Sequence, residues 1–173
     1  MLQPIPFDEF CLNSLRAWND DWFLLAAGDF AAGQFNAMTI SWGSIGVMWG
    51  RPFIQVVVRP TRYTFGFMER FDTFTVTAFP AEYHTALSLM GSKSGRDGDK
   101  IAEARLTPVA SQVVAAPSFA EAELVIECRK IYYDDFEPAH FLADYIAPHY
   151  HQDYHRIYFG EIVALRGVAA YRR

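Results

Sequence analysis

A strictly alternating run at residues 73–79 constrains the fold of this chain more than any other feature. It places Phe74, Val76 and Ala78 on one face and three threonines on the other, which is the pattern of a β-strand. Further short strand-like runs lie at 22–27, 38–42, 54–58, 124–133 and 157–165, and only short helices are predicted, at 64–70, 81–90 and 99–104. Because a parallel sheet needs a helix between successive strands, this order predicts a mainly β protein, a barrel or sandwich with short helices.

Length and composition narrow the class of protein. A chain of 173 residues without a linker-like segment predicts one domain over residues 1–173, and 51% hydrophobic residues are enough for a packed core. A net charge of −5 argues against a nucleic-acid partner, whose phosphates need a basic surface. No apolar run approaches the roughly 20 residues of a membrane span, so no membrane association is expected.

Cysteine usage and the first residues predict a compartment. Cys11 and Cys128 allow one bridge at most, which is no disulfide framework. The opening sequence MLQPIPFDEF has neither a basic start nor an apolar run, and so does not have the pattern of an export signal. We therefore expect a cytoplasmic protein.

The segment NAMTISWG at 36–43 is the first candidate for a binding function. If it is extended, Thr39, Ser41 and Gly43 share one face, and small hydroxyl-bearing residues would let a ligand approach the backbone closely. An ordinary amphipathic strand with its polar face in water is the alternative interpretation.

The segment RPTRYT at 59–64 is the second candidate, because a strand ends and a helix begins there. Arg59 and Arg62 would converge on the N-terminus of that helix, whose free N–H groups favour an anion. Guanidinium groups can bind phosphate through two parallel hydrogen bonds. The alternative is a surface turn whose arginines pair with acids such as Glu69.

Two further segments carry polar groups. The loop GSKSGRDGDK at 91–100 offers Lys93, Ser94, Gly95, Arg96 and Lys100 to an anion, but it lacks the spacing of a nucleotide-hydrolysing loop and is also typical of a solvated surface loop. The segment HYHQDYH at 149–155 alternates three histidines with an aspartate, which allows either a metal site or ordinary surface histidines.

Taken in order along the chain, four segments resemble the flavin reductase-like family: NAMTISW at 36–42, RPTRYT at 59–64, GSKSGRDGDK at 91–100 and HRIYFGE at 155–161. The resemblance extends over about residues 20–165. More narrowly, the chain is similar to the flavoredoxin-type subgroup of FMN-binding split barrels.

The resemblance implies a split β-barrel of Greek-key-like antiparallel topology, a homodimer that holds FMN non-covalently at the subunit interface. It implies a catalytic position beside the nicotinamide or isoalloxazine for His155, five residues before Gly160. The implied cofactor-binding residues are Asn36, Ala37, Met38, Thr39, Ser41 and Trp42 on the strand, Arg59, Arg62, Tyr63 and Thr64 at the turn, and Lys93, Ser94 and Lys100 in the loop. The aromatic stretch at 145–154 departs from the family pattern and leaves the second substrate open.

The resulting hypothesis is an oxidoreductase that passes electrons from NADH or NADPH through bound FMN to free flavin or another acceptor. Flavin chemistry of this kind needs mainly binding and orientation from the protein. Two alternatives stay open: a non-enzymatic FMN-binding electron carrier, and a metal-dependent protein that uses His149, His151, Asp153 and His155.

Overall fold

The computed structural model describes all residues, 1–173, as ten strands, four α-helices and several single turns of tighter or wider helix. The strands are β1 (Gln3–Pro4), β2 (Phe23–Asp29), β3 (Gln34–Ile40), β4 (Gly43–Met48), β5 (Arg51–Val58), β6 (Thr73–Ala78), β7 (Pro108–Val109), β8 (Ser118–Phe119), β9 (Leu124–Asp135) and β10 (Arg156–Gly167). The α-helices are α1 (Ser14–Arg16), α2 (Tyr63–Arg70), α3 (His84–Ser92) and α4 (Lys100–Glu103).

One large sheet organises the molecule. Its strand order is β3-β2-β6-β9-β10-β5-β4, with β1 added beside β10, and every pair is antiparallel. The predicted mainly β class with short helices is confirmed.

The connection between β3 and β4 shows how the sheet curls. These strands lie at opposite ends of the hydrogen-bonded order, yet only Ser41 and Trp42 separate them in the chain. A chain advances at most about 3.6 Å per residue, so Ile40 and Gly43 lie within about 11 Å of each other. The two ends of the sheet therefore come together as a barrel that stays open along a seam between β3 and β4.

This seam corrects the prediction of one strand through Trp42. β3 ends at Ile40, because its partner β2 begins at Phe23 and has no residue to pair further. Ser41 and Trp42 cross the seam, so the face expected to join Thr39, Ser41 and Gly43 is interrupted. Thr39 is not in water either, since its hydroxyl donates to the Leu87 carbonyl of α3.

Two hydrophobic clusters lie on either side of the sheet. The inner cluster fills the barrel and includes Phe23, Leu25, Phe74 and Tyr158. The outer cluster packs α3 and its neighbours against the other face of β2, which explains why the run 22–27 is apolar without alternation. Thr75 and Thr77 on the outer face of β6 are fully buried under the segment that leads into β8, and the Thr75 hydroxyl donates to the Pro117 carbonyl over 2.6 Å.

The hairpin from β4 to β5 is a feature that the sequence analysis missed. Met48 pairs with Arg51, and the two turn residues Trp49 and Gly50 both have positive φ, 53° and 70°. A two-residue turn of this kind matches the twist of antiparallel strands. It usually carries Asn-Gly, so a tryptophan at its first position gave no turn signal.

The helices lie close to their predicted positions. α2 begins one residue before the prediction, and the Asp99 side chain caps α4 by accepting from the Ala102 N–H over 3.0 Å. The longest helix, α3, has nine residues, and none is long and apolar enough to cross a membrane.

Candidate functional site

A small cavity lies along the open seam of the barrel. Its volume is about 200 Å³, and we call it the seam cavity. The lining residues are Met38, Thr39, Ile40, Ser41, Trp42, Val57, Arg59 and His155. The cavity exists because the strand pairing stops at Ile40, which leaves the backbone at 41–42 free of a neighbouring strand.

A second cavity, of about 270 Å³, shares Met38 with the first. We call it the cationic cavity, because four of its side chains are basic and none is acidic. The lining residues are Asn36, Met38, Thr61, Arg62, Tyr63, Thr64, Ser92, Lys93, Ser94, Gly95, Arg96 and Lys100. It lies between the N-terminus of α2 and the loop that joins α3 to α4.

Two cations of this cavity also hold the C-terminal end of α3. The Lys100 ammonium donates to the carbonyls of Met90 and Lys93 over 2.8 and 3.1 Å, and Arg62 donates to the Gly91 carbonyl. The last carbonyls of a helix have no partner within the helix and carry partial negative charge, so cations stabilise them. Arg62 and Lys100 therefore fix the loop that carries Ser92, Lys93 and Ser94.

The electrostatics of the cationic cavity favour the binding of an anion. Burial, and then the nearby Arg62, lowers the pKa of Lys100 to about 8. Burial and then Arg59 also lower the pKa of Arg62. Positive groups that lower one another's pKa values are stabilised by an anion, because it relieves both desolvation and repulsion. Hydroxyl groups of Thr61, Thr64, Ser92 and Ser94 add hydrogen-bonding capacity.

Close packing fixes the shape of this cavity. The Asn36 side-chain amide donates to the Thr64 hydroxyl over 2.8 Å, which ties β3 to the first turn of α2. A Cβ atom at Gly95 would lie 2.4 Å from Oδ1 of Asn36 and 2.8 Å from the Tyr63 ring. Only glycine lets the loop approach this closely.

Arg59 faces a different cavity from Arg62. Its guanidinium donates to Asp153 and to the His149 carbonyl, each over 2.7 Å, and lies above the Tyr150 ring. The expectation that both arginines converge on the helix N-terminus is wrong, because the segment 149–153 draws Arg59 towards the seam. Pairing with Glu69 is also wrong for both, since Glu69 binds Arg156 and Tyr158.

His155 is a buried, neutral imidazole in an aromatic setting. Burial, and then Arg59, lowers its pKa to about 4, against a smaller opposing effect of Asp153. Its Nδ1 lies 3.0 Å from the Tyr150 hydroxyl, whose own pKa is raised mainly by burial. The Trp42 ring lies 5.2 Å away, centroid to centroid. At neutral pH His155 carries no charge, and in the seam cavity it can take part in hydrogen bonds as a donor or as an acceptor.

Nearly all the residues singled out in the sequence line one of these two neighbouring cavities. Asn36, Arg62, Tyr63, Thr64, Lys93, Ser94 and Lys100 line the cationic cavity; Thr39, Ser41, Trp42, Arg59 and His155 line the seam cavity; Met38 lines both. Ala37 lines neither, because it points into the outer hydrophobic cluster.

Several lining residues were not among the predicted cofactor contacts. Arg96 lies over the Tyr63 ring and donates to the Thr61 carbonyl over 3.2 Å. Ser92, Gly95 and Arg96 belong to the glycine-flanked loop that the sequence did single out, so its composition was the available signal. Thr61 had a weaker signal, its position between two arginines.

The histidine-rich segment does not assemble a metal-ligand set. No group of three His, Cys, Asp or Glu side chains in the chain is placed to hold a metal ion. Asp153 pairs with Arg59, and His155 faces Tyr150. The segment instead forms part of the wall of a third cavity, which Trp42 also lines.

Comparison with known proteins assigns this architecture to a family. The chain matches the model of the flavin reductase like domain over residues 22–171, so it belongs to that family. No curated protein sequence matches it.

Solved structures agree with the family. Flavoredoxin of Desulfovibrio vulgaris (Miyazaki F) is 25% identical with a TM-score of 0.67, over 89% of this chain and 73% of that one. An FMN-binding domain of a flavin reductase-like enzyme from Shewanella baltica OS155 has 17% identity and a TM-score of 0.69, over 96% and 77%. The NADH:FAD oxidoreductase SgcE6 of Streptomyces globisporus C-1027 has 18% identity and a TM-score of 0.65, over 88% and 78%. The fold is thus that of FMN-binding split barrels.

The residues of this chain fit FMN. A phosphate ester needs a compact cationic site, which Arg62, Arg96 and Lys100 provide without an acidic partner, while Lys93 pairs with Glu103 outside the cavity wall. A flavin ring needs an adjoining cleft with small or apolar walls, and the seam cavity begins at the shared residue Met38.

Proposed function

We propose that this chain is an FMN-dependent oxidoreductase, a single domain over residues 1–173, that accepts electrons from NADH or NADPH and passes them to free flavin or another acceptor. The observation that supports it most is that a cationic cavity with no acidic residue on its wall adjoins the seam cavity at Met38. Bound FMN would supply the electron-transfer chemistry.

Each wall of the site has a distinct task in this proposal. Arg62, Lys93, Arg96 and Lys100 bind the phosphate, with the hydroxyls of Thr64 and Ser94. Asn36 positions Thr64 through their 2.8 Å hydrogen bond. The backbone and side chains at 38–42 line the ring, while Ala37 supports the strand from the outer cluster.

Charge at the ring end of the site would come from Arg59. An anionic reduced flavin is stabilised by a fixed positive group close to it. His155 is neutral at pH 7, so in this proposal its catalytic role is to orient a ligand by hydrogen bonding beside Trp42. Its Nδ1 is already engaged by Tyr150.

The phosphate assignment is tested by comparing two ligands that differ only in that group. Arg62→Ala should weaken FMN by at least tenfold while changing riboflavin binding much less, because charge-assisted hydrogen bonds are about twice as strong as neutral ones. Flavin fluorescence quenching measures both affinities. Arg16→Ala, an exposed arginine paired with Asp21, is the matched control. Equal losses for FMN and riboflavin would place the phosphate elsewhere.

A non-enzymatic electron carrier is the second candidate function, favoured by the 25% identity to a flavoredoxin. The two candidates differ in their response to nucleotides. Saturable bleaching of the flavin absorbance on anaerobic mixing with NADH or NADPH identifies the enzyme. An oxidised spectrum that does not change with either nucleotide identifies the carrier.

A homodimer is the proposed assembly, with FMN at the subunit interface. Its support is an exposed aromatic face at the β4–β5 turn and the distal half of β9, where Trp49 and Tyr132 are 67% and 44% exposed and their ring centroids lie 6.3 Å apart. Apolar patches of this kind commonly mark protein interfaces. Asp134 lies on the same face, since it accepts a hydrogen bond from the Tyr132 hydroxyl. The cytoplasmic location expected from the two cysteines stays a prediction.

A further inference from the structure

A third cavity shares Trp42 with the seam cavity. Its volume is about 750 Å³, within the usual range of small-molecule sites, and we call it the aromatic cavity. It lies between the end of β9 and the segment 136–150, whose last residues begin the aromatic stretch at 145–154 that departs from the family pattern. Trp42 lines both this cavity and the seam cavity, so the two are neighbours.

The walls of this cavity are suited to flat rings. Trp42, Phe136, Phe141, Tyr145 and Tyr150 all contribute. The rings of Phe141 and Tyr150 are stacked, with centroids 5.8 Å apart and planes 12° from parallel. Aromatic walls favour a planar aromatic ligand through ring stacking as well as apolar burial.

The charge at this cavity is the opposite of that at the cationic cavity. Asp134, Asp135 and Glu137 line it, and no lysine or arginine does. Arg156 neutralises Asp135 from outside through two hydrogen bonds of 2.7 and 2.8 Å, whereas Asp134 and Glu137 have no cationic partner within ion-pair distance. The hydrogen bonds to Asp134 and Glu137 come from the Tyr132 hydroxyl and from backbone N–H groups, none of which is a cation.

We propose that the aromatic cavity binds a planar aromatic molecule that is uncharged or cationic, and that its carboxylates discriminate against anionic ligands. Aromatic faces also attract cations. The inference deepens the proposed function, because it names the class of second substrate that binds beside the flavin site. The role of this ligand as a substrate therefore rests on the proposed function. The binding itself requires no flavin.

Three bicyclic probes that differ in charge test the proposal: 1-methylquinolinium, quinoline and quinoline-2-carboxylate. Calorimetric titration of the full chain, with and without FMN, should show the cation and the neutral ring binding at least tenfold more tightly than the anion. Phe141→Ala should weaken all three. Binding of the anion as tight as that of the neutral ring, or no binding of any probe, would overturn the proposal.

Variants that remove charge test whether the carboxylates themselves set the selectivity between cationic and anionic probes. Glu137→Gln and Asp134→Asn together should reduce the cation-to-anion ratio several-fold; glutamine keeps an oxygen for the Ala139 N–H, and asparagine keeps an oxygen for one of the two donors to Asp134. Asp8→Asn, a distant exposed acid, should leave the ratio unchanged. If FMN fails to bind while the probe selectivity persists, the proposed function is wrong and the aromatic site stands. If FMN binds but the double variant leaves the ratio unchanged, the aromatic-site proposal is wrong.

Discussion

Lys100 links the candidate site to the packing of the protein. Its side chain is only 3% exposed, and its ammonium is satisfied by two carbonyls at the end of α3. A buried lysine is costly unless its donors are used, so these carbonyls explain how the cation can lie inside the protein. The same burial lowers its pKa, and Lys100 therefore responds to an anion more than a surface lysine would.

The lowered pKa of Lys100 makes FMN binding dependent on pH. The free protein loses the Lys100 proton above about pH 8, whereas bound phosphate raises the pKa and holds the proton. FMN affinity should therefore fall about twofold from pH 7 to 8 and about tenfold by pH 9. Riboflavin affinity should stay flat, and Lys100→Met should weaken FMN at pH 7 and abolish the dependence. Fluorescence titration at each pH measures this; parallel curves for FMN and riboflavin would contradict it.

His155 makes stability dependent on pH in the acidic range. Its folded pKa of about 4 is below the usual 6.5, so from pH 6.5 down to 4 the unfolded chain binds a proton that the folded chain does not. Acid therefore destabilises the fold through this group, by about 2 kcal/mol between pH 7.5 and 5. Urea unfolding at the two pH values measures this effect. The free energy of unfolding of His155→Gln should lack this contribution to the pH dependence. His151→Gln, at an exposed position, should behave as wild type.

At the scale of elements, the backbone conformation of two glycines predicts opposite effects of the same substitution. Gly50 has φ of 70° in the β4–β5 turn, while Gly66 lies exposed in the middle of α2. A Cβ atom would meet nothing within 4 Å at either position, so steric contact does not distinguish them. Only the cost of a side chain in each backbone conformation remains.

Gly50→Ala should therefore destabilise the protein by about 1 kcal/mol, because an L-residue is disfavoured in the left-handed region. Gly66→Ala should stabilise it by about 0.5–1 kcal/mol, because alanine is the better helix former. Thermal unfolding should show midpoint shifts of opposite sign, each of a few degrees. Shifts of the same sign would show that one of the two backbone conformations is wrong.

At the scale of the whole molecule, charge is unevenly distributed. The chain is acidic overall, with a net charge of −5, yet four of its 15 basic side chains line a single cavity. A local positive site on an acidic molecule attracts a small anion while the overall charge disfavours polyanions. The aromatic cavity, which shares Trp42 with the seam cavity, is instead lined by three acidic residues.

The exposed aromatic face makes a prediction at this scale. Wild-type protein should have a mass of twice 19.7 kDa by light scattering, and Trp49→Lys with Tyr132→Lys should reduce it to a single chain by placing charges in an apolar interface. Val113→Lys changes an exposed valine on another loop and should leave the dimer intact. A wild-type mass of 19.7 kDa would contradict the assembly.

The sequence by itself determined six of the ten strands and three of the four α-helices of this fold. The alternation at 73–79 and the turn residues that close each run depend on neighbours along the chain, so they fixed most strands and helices to within a few residues. The same local signals placed hydroxyls at 39–41, arginines at 59 and 62, and a glycine-flanked basic loop at 91–100. The hairpin at Trp49-Gly50 was not predicted, because its conformation is set by the pairing of β4 with β5 at Arg51 rather than by typical turn residues.

Only the tertiary structure decided which of those groups meet. Arg59 and Arg62 are three residues apart but line different cavities, because Asp153, which is 94 residues from Arg59 in sequence, holds Arg59 at the seam. The neutral state of His155 and the aromatic cavity likewise depend on burial by distant segments. Contacts between residues far apart in sequence arise from closure of the sheet, and no local pattern of side chains specifies them.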